Sequence, residues 1–289
     1  MALQLKKATR QQVKLRLNLS APSGAGKTMS ALRMAYGLCE DWSKIAVIDT
    51  ENGSASLYSH LGDFNTVNLE PPFSPERYIE ALKACTDAGM EVVIIDSSSH
   101  EWNGPGGCLE INERLAAAKY KGNTWSAWNE TTPRHDAFVS AVLHCPAHVI
   151  TCTRSKMETV MGEGKKVHKV GMKDVQREGW EYELTVSLNL DRDTHLAMAS
   201  KDRTELFEGK EPFLITEETG RQIRKWCEQG TAPVEVLPIT KPFPTEQQYE
   251  QLVKRAMNDK DIVSKAQQHY TLTLAQINNL NAAYADSQS

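Results

Sequence analysis

Phosphate chemistry needs an ammonium group, a hydroxyl and carboxylates close together, and this sequence holds them at telling spacings. Lys27 and Thr28 close a run of small residues, Ala21, Pro22, Ser23, Gly24, Ala25 and Gly26, while Asp49, Glu51 and Asp96 stand at the ends of two later apolar runs. Gly24 and Gly26 can take positive φ and let phosphate oxygens approach backbone N–H groups. Lys27 would reach the β- and γ-phosphates of a nucleotide, and the Thr28 hydroxyl would hold Mg²⁺.

The flanking elements must place that loop. Val13, Leu15, Leu17 and Leu19 alternate with Lys14, Arg16 and Asn18, the period of a strand covered mainly on one face, over 13–20. Met29, Leu32, Ala35 and Tyr36 then fall at helical spacing over 28–38. A strand feeding a helix start through this loop is the P-loop arrangement, in which unpaired N–H groups and the helix dipole attract an anion. One position departs from the pattern: its first glycine is here Ala21, the smallest replacement, so a slightly altered loop start is expected and binding is retained. Residues 44–49 and 91–96 read as short buried parallel strands, each ending in an acid at the edge where open α/β sheets keep their chemistry. Asp96 after four β-branched residues has the Walker B arrangement, whose carboxylate supports the Mg²⁺ shell; the alternative is an ordinary strand-end residue.

Composition narrows the class. The chain has 289 residues and a net charge of −4, with an isoelectric point near 6.1. It is long enough for one large core and a small appendage, and it lacks a global basic field, so any nucleic-acid contact must be local. Its six cysteines show no CxxC pair and read as reduced thiols, most of them core residues. The N-terminus has no apolar signal core and no apolar run approaches the ~20 residues of a membrane span; the expectation is a soluble, cytoplasmic protein without a membrane partner.

Further along, 75–88 reads as a helix with Pro75 in its first turn, 97–107 as a Gly/Ser-rich loop near the site, 133–144 as a helix and 147–153 as a strand ending at Arg154. Residues 157–171 read as a hairpin or mobile loop with a basic cluster of Lys165, Lys166, His168 and Lys169, serving either a ligand or only a solvated tip. A hairpin over 182–199 turns at 191–193, and a last core helix covers 217–228. Trp102, Trp125 and Trp128 are core residues or base-stacking ones. His144, Cys145, His148 and Cys152 match no structural zinc spacing and read as packing residues. Four prolines make 231–244 an extended linker between a core over 1–230 and a small helical module over 245–289, whose first helix opens with a Thr245/Gln248 capping signal.

The segments VIDTENGSASLY and VVIIDSSSHEW resemble the ATPase core of the RecA superfamily, and HEWNGPGG, TRSKMETV, GMKDVQREGWEYE and KDR are similar to a phage and prophage group of such ATPases used in recombination and associated with single-strand annealing. The resemblance spans about 12–228 and implies an α/β RecA-like P-loop core with a mainly parallel central sheet, using ATP and Mg²⁺. It implies that Glu51 orients the attacking water, that Arg154 senses the γ-phosphate, and that Lys201 and Arg203 reach across to a neighbouring subunit's ATP in a homo-oligomer. Their i, i+2 spacing puts both on one face of a strand. It also implies that the segment after Arg154, with Lys156, Lys165, Lys166 and Lys169, contacts single-stranded DNA. A single-strand-binding, replication or recombination protein is a further expected partner. Another reading from a different class is a nucleotide-dependent loader or adaptor acting through a protein partner. A packaging motor is disfavoured, since the C-terminal segment offers no nuclease carboxylate cluster.

Overall fold

A computed structural model of the chain describes residues 7–161, 167–231, 244–259, 261–267, 269–270 and 272–287. The chain divides into two compact units, Met1–Ala232 and Pro233–Ser289. The first is built on a sheet of β1 (Arg16–Ala21), β2 (Ile45–Asp49), β3 (Asn65–Asn68), β4 (Val92–Asp96), β5 (His148–Met161), β6 (Val167–Asp174), β7 (Val186–Leu190) and β8 (Ala197–Asp202). Their order is β3-β2-β4-β5-β1-β7-β8, with β6 paired to β5. Strands β3 to β7 along this order run parallel; the β7–β8 and β5–β6 pairs are antiparallel. Strand β5 thus separates β1, which feeds the glycine loop, from β4, which ends in Asp96.

Alternating residues of the strands feed two cores. Val92 and Ile94 join one with Leu17, Leu19 and the helices α1 (Lys27–Cys39) and α7 (Glu217–Cys227). Val93 and Ile95 join the other with Tyr78, Leu82, Phe138 and Val142, from α2 (Pro75–Asp87) and α5 (Thr124–Leu143). Helices α1 and α7 cross closely because Gly37 faces Gly220; a methyl on Gly37 would meet the Glu217 carbonyl oxygen.

Several expectations need correction. β1 is buried along its whole length on both faces, because it lies inside the sheet. Its polar residues are internally satisfied: the Arg16 guanidinium donates to the carbonyls of Leu143 (3.1 Å), Leu15 (2.7 Å), Ala147 (2.8 Å) and Cys145, and Asn18 accepts from the hydroxyls of Thr151 and Thr153. The Gly/Ser segment holds α3 (Ser99–Asn103) and leads into α4 (Cys108–Lys119). Pro133 does not open a helix but sits inside α5, tolerated because the carbonyl it leaves without an N–H partner belongs to exposed Asn129. Arg154 does not follow β5 but lies within it, since the strand runs on to pair with β6. Residues 182–185 are not strand: α6 (Trp180–Glu183) precedes β7.

All six cysteines are free and Cys39 alone of them is not buried. The His148 ring accepts from Leu15 N–H at 2.9 Å, and burial pushes its pKa down to about 3, so it packs as a neutral acceptor. In the second unit α8 (Glu246–Ala256), α9 (Ile262–Gln267) and α10 (Leu274–Ser287) bury Leu252, Ala256, Ile262, Ala266 and Leu280 together. Thr245 and Gln248 form the reciprocal capping box at its start. No helix among the described residues is long and apolar enough to cross a membrane.

Candidate nucleotide site

β1 ends at Ala21 and α1 starts at Lys27, so Pro22, Ser23, Gly24, Ala25 and Gly26 form the loop between them. Gly24 and Gly26 both take φ of +83°, and Gly26 caps α1 in the left-handed region with no side chain hydrogen-bonded to the helix start. The first-turn N–H groups therefore face outward to an anion. Lys27, only 8% exposed, folds back and donates to the carbonyls of Ala21 and Pro22, each at 3.0 Å. Ala25 is fully buried and anchors the loop in the α1 core, and alanine at position 21 is accommodated as the last buried residue of β1.

Thr28 follows β1 through the loop and Asp96 ends β4, strands that are not adjacent in the sheet, yet the Thr28 hydroxyl donates to Asp96 Oδ2 at 2.5 Å. Asp96 is buried, and desolvation raises its carboxyl pKa to about 6, opposed by the Thr28 bond and the Lys27 charge and assisted by the charges of Glu51 and Asp49. A hydroxyl and a buried, undercompensated carboxylate are the hard oxygen donors that suit Mg²⁺. Lys27 and Thr28 thus converge with Asp96 as the spacing implies.

Asp49 does a different job. Its Oδ1 accepts from Glu51 N–H at 2.6 Å and its Oδ2 from Ala55 N–H at 2.8 Å, fixing the turn that carries Glu51. The Glu51 carboxylate is ion-paired with Arg154, Oε1 lying 3.0 Å from Nε and 2.8 Å from the guanidinium NH2. Both partners remain partly open to solvent, at 28% and 42%, so the pair contributes under about 1 kcal/mol and is easily opened. The backbone N–H of Arg154 is held by Ser99 Oγ at 2.9 Å.

Lys201 and Arg203 stand at the other end of the sheet. Lys201 Nζ donates to the carbonyls of Glu181 (2.9 Å) and Tyr182, and Arg203 to that of Tyr182 at 3.0 Å. They share one side, as their spacing requires, and neither touches the loop of its own chain. Lys156 is exposed on β5 opposite Lys173. Lys169 lies on β6 opposite Thr159, while Lys165 and Lys166 lie outside the described residues.

The structure adds residues that spacing did not single out. Asp174, at the end of β6, accepts from Ser20 Oγ and, at 3.4 Å, from Asn18 Nδ2, tying the β5–β6 arm to the strand that feeds the loop; burial raises its pKa. Thr50 Oγ1 takes Ser97 N–H at 2.8 Å and meets His100 Nδ1 at 2.8 Å. Fully buried Glu101 accepts from Cys108 Sγ (3.0 Å) and Gln176 Nε2 (3.3 Å) and meets His135 Nδ1 at 3.1 Å. Cys108, His135 and Glu101 gather their donor atoms within 4.8 Å, and their mutual hydrogen bonds account for them as a structural hub. The segments HEWNGPGG and GMKDVQREGW supply Glu101 and Gln176 of this hub, but their pairing across the fold has no local signature.

A parallel sheet, a glycine loop opening a helix, and a buried acid on the loop threonine define a P-loop nucleotide-binding protein. Residues 13–219 match a protein family described as an AAA domain, and the chain belongs to that family. The family implies nucleotide binding, typically with Mg²⁺, and suggests nucleotide-dependent ATPase activity. No curated protein matches the chain.

Proposed function

We propose that the protein is a Mg²⁺-dependent, RecA-like ATPase that oligomerises and engages single-stranded DNA in phage recombination or replication. The observation that carries the ATPase reading is the Thr28–Asp96 contact beneath an uncapped helix start. In this reading the N–H groups of residues 23–28 and the Lys27 ammonium hold the phosphates, and Thr28 with Asp96 holds Mg²⁺, which neutralises charge on the phosphoryl oxygens when bound. Glu51 accepts a hydrogen bond from the attacking water. Arg154 holds only Oε1 of that carboxylate and, freed at small cost, is available to the γ-phosphate. Lys201 and Arg203, remote from their own loop, would stabilise the phosphoryl transition state of a neighbouring subunit, a role worth ~10³ to 10⁵ in rate.

The test is ATP turnover against protein concentration, with and without single-stranded DNA, with Lys27→Ala as the blank. Cooperative, DNA-stimulated turnover supports the reading. Mixing Lys27→Ala with Lys201→Ala subunits should restore some activity if fingers act between subunits. Turnover indifferent to DNA would favour instead a nucleotide-dependent adaptor acting through a protein partner.

A further inference from the structure

A tryptophan surface lies on α3 and α5, and neither the nucleotide chemistry nor the core uses it. Trp125 opens α5 at 86% exposure, where a core tryptophan would be covered. Trp128, one turn on, stacks on Trp102 of α3 with ring centroids 5.5 Å apart and planes 17° from parallel. The Arg177 guanidinium lies 5.9 Å from the Trp128 ring centre. With Asn129 and Thr132, these side chains line an open cavity of about 530 Å³.

We propose that this surface is a nucleobase-stacking platform, on which single-stranded DNA lays its bases while cationic groups meet its phosphates. Flat aromatic faces beside a guanidinium suit the π-face that every base presents, whatever its sequence. Arg177, held by the Thr132 hydroxyl at 3.2 Å and paired with exposed Asp136 at 3.5 Å, supplies positive charge in the cavity lining; Lys121, in the turn just before α5, has no ion-pair partner among the described residues. The platform is pre-formed. Trp102 packs edge-on against His135 at 5.5 Å, His135 is fixed on Glu101, and Glu101 is held by Gln176, the neighbour of Arg177. Trp102 lies on α3, which begins at Ser99 just after Asp96 ends β4, so a base stacked on Trp102 sits on the element that follows that acid.

This inference rests on the DNA reading above, and the experiment separates the two. Full-length protein with Mg²⁺ and a slowly hydrolysed ATP analogue is titrated into fluorescein-labelled dT20 and into an abasic strand of equal length and phosphate number, with anisotropy as the readout. The unaltered protein should bind dT20 more tightly than the abasic strand. Trp125→Ala, at an exposed position that folding does not need, should lose about tenfold on dT20 and little on the abasic strand, and Trp125→Phe should recover most of the loss. Equal loss on both strands, or none on dT20, would overturn the platform. Equal affinity of the unaltered protein for the two strands would also overturn it while leaving DNA binding through phosphates intact. Binding to neither strand would overturn the DNA reading together with the platform and leave the tryptophans to a protein partner.

Discussion

Replacing Asp96 with asparagine should stabilise the metal-free protein while disabling its site. In an unfolded chain the Asp96 carboxyl ionises near 3.8; in the folded protein burial moves this to about 6. Between those values the folded protein keeps a proton that the unfolded chain has released. The stability this confers is fully present below 3.8 and is lost as pH rises through 6. At 1.36 kcal/mol per pH unit the loss amounts to about 3 kcal/mol by pH 8 and roughly half of that at pH 5. Asparagine keeps an oxygen to accept from Thr28 and carries no charge, so Asp96→Asn escapes this loss. For a core of this size its melting temperature, measured in EDTA, should exceed the parent's by roughly 6 to 12 °C at pH 8 and by about half that at pH 5. Adding Mg²⁺ and nucleotide should raise the parent's melting temperature and leave the variant's nearly unmoved. A difference that does not vary with pH, or a variant less stable at pH 8, would refute the account of Asp96 as a desolvated carboxylate awaiting a cation.

Glu51→Gln should leave nucleotide affinity within about twofold and lower turnover at least ~100-fold; preserved turnover in a coupled phosphate-release assay would remove Glu51 from the water-orienting role. Gly37→Ala should cost about 1–3 kcal/mol by denaturant unfolding, since the added methyl pushes α1 off α7, and an unchanged midpoint would show that the crossing can relax. Arg16→Met should cost about 3 kcal/mol, because it strips donors from buried carbonyls between β1 and the end of α5. A loss under ~0.5 kcal/mol would mean that water reaches those carbonyls.

Local chemistry made much of this protein readable from its residues alone. Two glycines around an alanine, followed at once by Lys-Thr, announce positive φ and a helix start, and both follow. Four β-branched residues before Asp96 mark a strand interior, and Thr245 with Gln248 marks a helix cap. Features set by distant partners were not readable. Arg16 looks like a solvent-facing strand residue until the carbonyls after α5 close over it. Residues 65, 66 and 68 are polar and exposed and Val67 is only half-buried, so β3 exists only because β2 offers an edge to pair with. Pro133 signals a helix start by its local rule, whereas packing of α5 against α2 and α4 carries the helix through it. Glu51 and Arg154 could each be suspected of a role, but their pairing across 103 positions follows only from the strand order.

That strand order also governs how the chain comes into being. Leu17 has Ile150 on one side and Val186 on the other, so β1 is made well before either neighbour and gains the second only when β7 has been made. At ~5–20 residues per second of translation, β1 waits on the order of ten to thirty seconds before both its edges can be covered. Throughout that interval the glycine loop has no fixed strand behind it, and an unfinished chain holds no competent site with which to capture nucleotide. The protein is silent until nearly all of its core has been made, and the waiting strand is where a chaperone would first find something to hold.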